Sequence, residues 1–334
     1  MGTLSSTHLS AAIEAGRARL GPALGAGAAI LAAAAIAPTA SIGAIRATTP
    51  VSPGVAAATA SATPGAAPVT TPTTPIATPQ VDWAPVGAPP ESDALAASQV
   101  TPEPENRPWN RPANDYVPSD FELRMFYDTR GADGLTPIQI NPLYADVTGR
   151  SDLSNPSTDD LIQWAAHKWG IPEDWIRALT VYESWWRQYA LGDLSLIPAS
   201  WYTAYPPEAR ASLGHVFEEA GITQIKWLPD ESINPGTRRL RFLSTAFALD
   251  YMGATIRYYY DGDCTACGQG YGPGQQWASI GAWHAPRPWN NQKAQTYIAA
   301  LQKILAARTW ASPGFERPCV ISLSVGACEH HALG

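Results

Sequence analysis

All 13 tryptophans of this 334-residue chain lie at or beyond Trp83, and all four cysteines lie at or beyond Cys264. A core needs bulky apolar side chains, so only the later part of the chain holds the material for one. A single folded domain of about 200 residues fits there. The stretch ahead of it has another character. From Ala47 to Val81 there is no charged residue, and Ala, Thr, Pro, Ser, Val and Gly dominate. Such a segment buries too little apolar area to offset its ordering entropy, and its prolines stiffen it toward an extended form. A disordered linker is therefore expected over 47–112, a folded domain over 113–310 and a Cys-containing tail over 311–334.

Before the linker, Arg17 and Arg19 precede an uncharged run from Gly21 to Ile45. A basic flank followed by an apolar run reads as a secretory signal or an uncleaved membrane anchor over 1–46. Ala35-Ile36-Ala37 has the form of a cleavage site, and Pro38 directly behind it hinders cutting. The alternative is a soluble Ala-rich helix. Export to the cell surface is the favoured reading, and a monomer is expected there. The formal net charge of −7 weighs against a nucleic-acid binder, which needs clustered cations to neutralise phosphates. It says little about a sugar ligand.

Hydrophobic periodicity in the later part is helical. Ser157 followed by Thr158, Asp159 and Asp160 supplies a cap and early acidic residues for a helix starting near 158. Leu161, Ala165 and Trp169 recur on it, and Gly170 closes it. Pro172, Glu173 and Asp174 open a second helix, predicted over 172–189. Two more are predicted from Ser244 to Tyr259 and from Asn291 to Ala307, the last with Tyr297 on its apolar stripe. Strand patterns are weak. The fold class is mainly α, with long aromatic-rich loops.

On the second predicted helix, Ile176, Leu179, Glu183, Trp186 and Ala190 follow one another at steps of three or four and share a face. Glu183 sits where a leucine is expected. Burial disfavours its charged form and raises its pKa, which is what a general acid needs near neutral pH. The bland alternative is a snorkelling or salt-bridged glutamate at the edge of the stripe.

The surroundings add to this. Tyr182-Glu183-Ser184-Trp185-Trp186 follows Trp175-Ile176-Arg177-Ala178-Leu179. Gly221-Ile222-Thr223-Gln224-Ile225 comes next, and Gly281-Ala282-Trp283-His284-Ala285 precedes the Tyr297 helix. In this order the three segments resemble the lytic transglycosylases, a family with a lysozyme-like (goose-type) helical fold, over roughly 157–308. Trp283 and His284 stand where the family usually has tyrosine and asparagine, and Thr223 stands for methionine.

The resemblance implies cleavage of peptidoglycan glycan strands by one catalytic residue, Glu183. It first protonates the leaving oxygen, then serves as base toward the sugar's own primary hydroxyl, giving an anhydro product. The resemblance places Ser184, Gln224, Trp283 and His284 as substrate-binding residues, with Trp283 as a stacking platform. Ser184 alternatively holds the helix end, Gln224 is an ordinary loop amide and Trp283 a core residue. No cofactor or metal is implied. Two rivals stay open. A hydrolytic muramidase needs a second acid, for which Asp193, Asp250 and Asp261 are available and Asp193 is placed best. A non-catalytic wall-binding domain would have kept the fold and lost the chemistry.

Four cysteines allow three pairings. Export favours disulfides, with Cys264–Cys267 and Cys319–Cys328 as the pairing put forward. Zinc at Cys328, His330 and His331 has the wrong spacing for common sites, and no βαβ pattern supports a redox Cys-x-x-Cys.

Overall fold

A computed structural model of the protein describes residues 82–131, 133–194, 217–226, 236–237, 239–285 and 288–315. The N-terminal apolar run, the spacer up to 81, Cys319, Cys328, His330 and His331 lie outside them. About 53% of the described residues are helical and strands are few, so the domain is mainly α. Among the described residues no helix is long and apolar enough to cross a membrane.

In chain order the α-helices are α1 (Asp93–Ser98), α2 (Arg111–Asn114), α3 (Asp120–Asp128), α4 (Pro137–Ile140), α5 (Thr158–Trp169) and α6 (Glu173–Ser184), then α7 (Leu240–Leu243), α8 (Thr245–Tyr260), α9 (Gln276–His284) and α10 (Gln292–Ala307). α8 is buried along nearly its whole length and packs on α5 and α9. α6 packs between α5 and α10, and α10 returns to α9. Close approach of α8 to α5 depends on Gly253. A methyl there would stand 2.2 Å from Cδ1 of Trp169. Strands β1 (Leu191–Leu194), β2 (Phe217–Ala220) and β3 (Ile225–Lys226) form a small antiparallel sheet in that order. Its register sets Gly192 opposite Glu219, and Glu219 opposite Lys226.

Local chemistry explains the helix ends. At the start of α5 the Ser157 hydroxyl accepts from Asp160 N at 3.0 Å, and the Asp160 carboxylate accepts from Ser157 N at 2.9 Å. This capping box satisfies two otherwise orphaned donors. Gly170, with φ 58°, stops the helix in the left-handed region. α6 is shorter than its apolar pattern predicts. It ends at Ser184, not 189, because Trp185 (φ 58°) and Trp186 (φ 59°) both turn left-handed. Trp186 and Ala190 therefore leave the helical stripe, although Trp186 is still buried. α9 covers a segment read from sequence only as a motif.

The described residues 82–112, expected as linker, are packed and hydrogen-bonded onto the helices. Trp83 is buried, stacked on Tyr260 at 4.7 Å and edge-on to Trp175 at 5.3 Å. Ala84 N donates to Gly170 O at 2.8 Å, and Arg257 Nη1 donates to Ala84 O at 2.9 Å. Further along, the fully buried Arg107 donates through Nη2 to Phe315 O at 2.7 Å and through Nε to Trp185 O at 3.3 Å. Asn110 Nδ2 donates to Trp186 O at 2.8 Å, and Asn110 Oδ1 accepts from Gln188 N at 3.0 Å. The arm is held by these polar bonds to distant residues and by Trp83 and Ala96 in the core, so its partners make it part of the domain. The tail boundary at 310 shifts likewise. Phe315 is buried, with its ring 5.0 Å from each of Trp185 and Trp186.

A charged cluster is sealed between α1, α5 and α8. Lys168 Nζ donates to Asp93 at 2.7 Å and to Asp250 at 2.9 Å. Asp250 also accepts from Trp169 Nε1 and from the backbone of Thr148 and Gly149. Burying ions is costly unless every lone pair and proton is used, and here the carboxylate is surrounded by donors. In the loop after α8, Cys264 and Cys267 form a disulfide.

Candidate active site

Glu183 stands one residue before the end of α6, where the helix faces α9 and α10. It is partly exposed as a residue, yet its carboxyl is crowded by aromatic side chains from both neighbours. Trp283 of α9 donates through Nε1 to Glu183 Oε1 at 3.0 Å. Tyr297 of α10 donates its hydroxyl to the same oxygen at 2.5 Å. Tyr297 is fully buried, and a buried tyrosine hydroxyl needs a partner. That requirement was the available signal for its role, but on sequence it counted only as a core position of the last helix.

Desolvation is the largest influence on Glu183 and opposes its charge; the hydrogen bonds from Tyr297 and Trp283 favour its charge. Desolvation prevails, and the pKa moves from 4.5 to about 7. Both donors fall on Oε1, which leaves Oε2 as the oxygen that carries the proton of the neutral acid. Losing that proton leaves a carboxylate already met by two donors. The group is thus built to exist in both states at neutral pH.

The ring of Tyr297 is itself held. Tyr182, the residue before the acid, meets it edge-on at 4.5 Å. His284, at the end of α9, lies on it at 4.3 Å with the two planes only 2° apart. Burial raises the Tyr182 hydroxyl's pKa, with lesser contributions from Glu183 and from Glu219 of β2.

Of the residues expected from sequence, Glu183 and Trp283 meet directly, and His284 reaches the acid through Tyr297. Ser184 and Gln224 have internal tasks. Ser184 is buried; its hydroxyl donates to Ile222 O at 2.8 Å and accepts from Arg187 N at 3.1 Å. It ties the end of α6 to the Gly221–Ile225 segment. Gln224, left-handed at φ 49°, donates from Nε2 to Gly221 O at 2.7 Å and to Ala190 O at 3.2 Å. It locks the turn between β2 and β3 and makes no hydrogen bond to Glu183 among the described residues. Gln188, not singled out on sequence, supports the same region by donating to Arg241 O and Phe242 O, both at 2.9 Å.

The alternative acids differ in availability. Asp250 is locked in the Lys168 cluster. Asp261 pairs with Arg257 at 3.2 Å and accepts from Gly87 N at 2.9 Å. The backbone of Asp193 lies in β1, and its side chain is outside the described residues. Among the described residues, no second carboxylate figures in the forces on Glu183, and no group of three or more His, Cys, Asp and Glu side chains is placed to hold a metal ion. No family model, curated protein or solved structure matches the chain.

Proposed function

We propose that the protein is a lysozyme-like, exported enzyme that cuts the glycan strands of peptidoglycan, with Glu183 as its single acid and base. The observation that carries this reading is a glutamic acid with a pKa near 7 whose two hydrogen-bond donors occupy one oxygen and leave the other for a substrate. The disulfide between Cys264 and Cys267 agrees with an extracytoplasmic setting.

In the first step the proton on Oε2 passes to the glycosidic oxygen, the bond to the anomeric carbon breaks, and Glu183 becomes a carboxylate. Trp283 and Tyr297 stabilise that charge through Oε1. In the second step Oε2 takes the proton of the sugar's primary hydroxyl while its oxygen closes onto the anomeric carbon. The acid is restored and the product carries an anhydro ring.

The test is digestion of purified sacculi with wild type and Glu183→Gln, with products read by mass spectrometry. Anhydro ends that depend on Glu183 support the proposal. Reducing ends would identify a hydrolase, and unaltered sacculi with retained binding would identify a wall-binding domain.

A further inference from the structure

Trp283 and His284 are adjacent at the end of α9, but they face the acid in different ways. Trp283 reaches Oε1 itself. His284 lies flat on Tyr297, the other donor to that oxygen. The Tyr297 ring is therefore confined by an imidazole on a face and by Tyr182 at an edge. The phenolic oxygen lies on the ring axis, but its O–H prefers the ring plane, so holding that plane aims the Tyr297 proton at Oε1.

We infer that His284 is a positioning residue: its flat contact orients the Tyr297 hydroxyl on Glu183, and it serves the acid through that ring. The stack is a face-to-face aromatic contact, so what it supplies is shape, and another flat ring of similar size supplies it too. Removing the imidazole frees the Tyr297 ring to turn, its O–H no longer points steadily at Oε1, and the charged form of Glu183 loses support. The inference rests on Glu183 being the working acid, but its direct readout needs no substrate.

The experiment is a titration of the Glu183 carboxyl in the full-length protein by ¹³C NMR of Glu-labelled material, with the resonance assigned by its loss in Glu183→Gln. Among the described residues the titratable groups around the acid are Tyr182 on its own helix, Tyr297 on α10, His284 on α9 and, acting on Tyr182, Glu219 of β2. Their resonances are followed in the same series. Replacing His284 by alanine or glutamine is expected to raise the Glu183 midpoint by about one pH unit, the scale of one lost charge-assisted bond. Replacement by phenylalanine is expected to keep it at the wild-type position. If either ringless variant fails to fold, the other carries the comparison with phenylalanine.

A midpoint unmoved by loss of the ring overturns the inference. So does a phenylalanine variant that shifts as far as alanine. Glycan cleavage is measured in parallel. A shifted midpoint in a protein with no cleavage activity would sink the enzymatic reading and leave the His284–Tyr297–Glu183 coupling standing.

Discussion

The hydroxyl of Tyr297 donates to Oε1 of Glu183 across 2.5 Å, joining the last long helix to the one that carries the acid. Replacing Tyr297 by phenylalanine keeps the ring and its packing but removes the donor. Muropeptide release is expected to fall about tenfold to a hundredfold, the range for one hydrogen bond to a charged group. Thermal unfolding should hardly move, and initial rates on sacculi measured beside a melting curve check both parts.

Glu183→Gln keeps the shape of the side chain and its ability to accept from Trp283 and Tyr297, but it has no proton to transfer. Release of muropeptides is expected to drop by at least about a thousandfold with the helical circular dichroism unchanged. Residual activity near the wild-type level would transfer the chemistry to another residue.

The raised pKa of Glu183 fixes two signs. As acid it must be protonated, so the rate of bond cleavage is expected to decline as pH rises through about 7. Stability follows the same direction. In the unfolded chain the group titrates near 4.5 and in the fold near 7, so the folded state holds the extra proton between those values. Its contribution is fully present below 4.5 and is lost as pH climbs through about 7. Denaturant unfolding at pH 4, 6 and 8 should show this fall in wild type and a flatter profile in Glu183→Gln, the glutamine variant being relatively more stable at pH 8.

How much of this was legible in the sequence depended on the range of the forces. The helices at 158, 244 and 291 were readable because caps and apolar spacing are local signals. Glu183 was readable because a carboxyl interrupting an apolar run is a local anomaly. The end of α6 was not, since the left-handed pair Trp185-Trp186 is held by Arg107, Asn110 and Phe315 from far along the chain. The same bonds explain why 82–112 read as linker. Tyr297 was visible as a core position, but only the pairing of α10 with α6 gives its hydroxyl a purpose. On sequence Ser184 and Gln224 stand either as glycan contacts or as a helix-end hydroxyl and a loop amide; the bonds of the Ser184 hydroxyl and Gln224 Nε2 to backbone carbonyls depend on the folded turn and are not visible in spacing.

Gly253 lets α8 lie against Trp169. Its replacement by alanine places a methyl 2.2 Å from Cδ1 of the Trp169 indole, a buried ring with little room to give way. Overpacking of this kind costs about 1–3 kcal/mol. The expected result is a melting temperature lower by several degrees, with the disulfide intact and the Glu183 site preserved.

The Lys168 cluster predicts an asymmetry. Lys168→Met leaves Asp93 and Asp250 without their cation, and one of them is completely buried. The loss is expected to reach about 3–5 kcal/mol. Adding Asp250→Asn removes the stranded charge and should recover part of that loss. Chemical denaturation of the single and double variants measures the difference, and an additive double variant would show that the ions are not coupled.

The two left-handed tryptophans behind the acid carry a conformational cost of about 1–2 kcal/mol each. What keeps them folded back comes from segments well before and well after the helix: the Arg107 guanidinium and Asn110 amide on one side, and the Phe315 carbonyl, which accepts from Trp185 Nε1 at 3.0 Å, on the other. The shortest fragment able to keep Glu183 in register is therefore longer than its helices alone require. A version trimmed to the helical span would retain every residue around the carboxyl and still let the peptide beside it relax toward an ordinary helix.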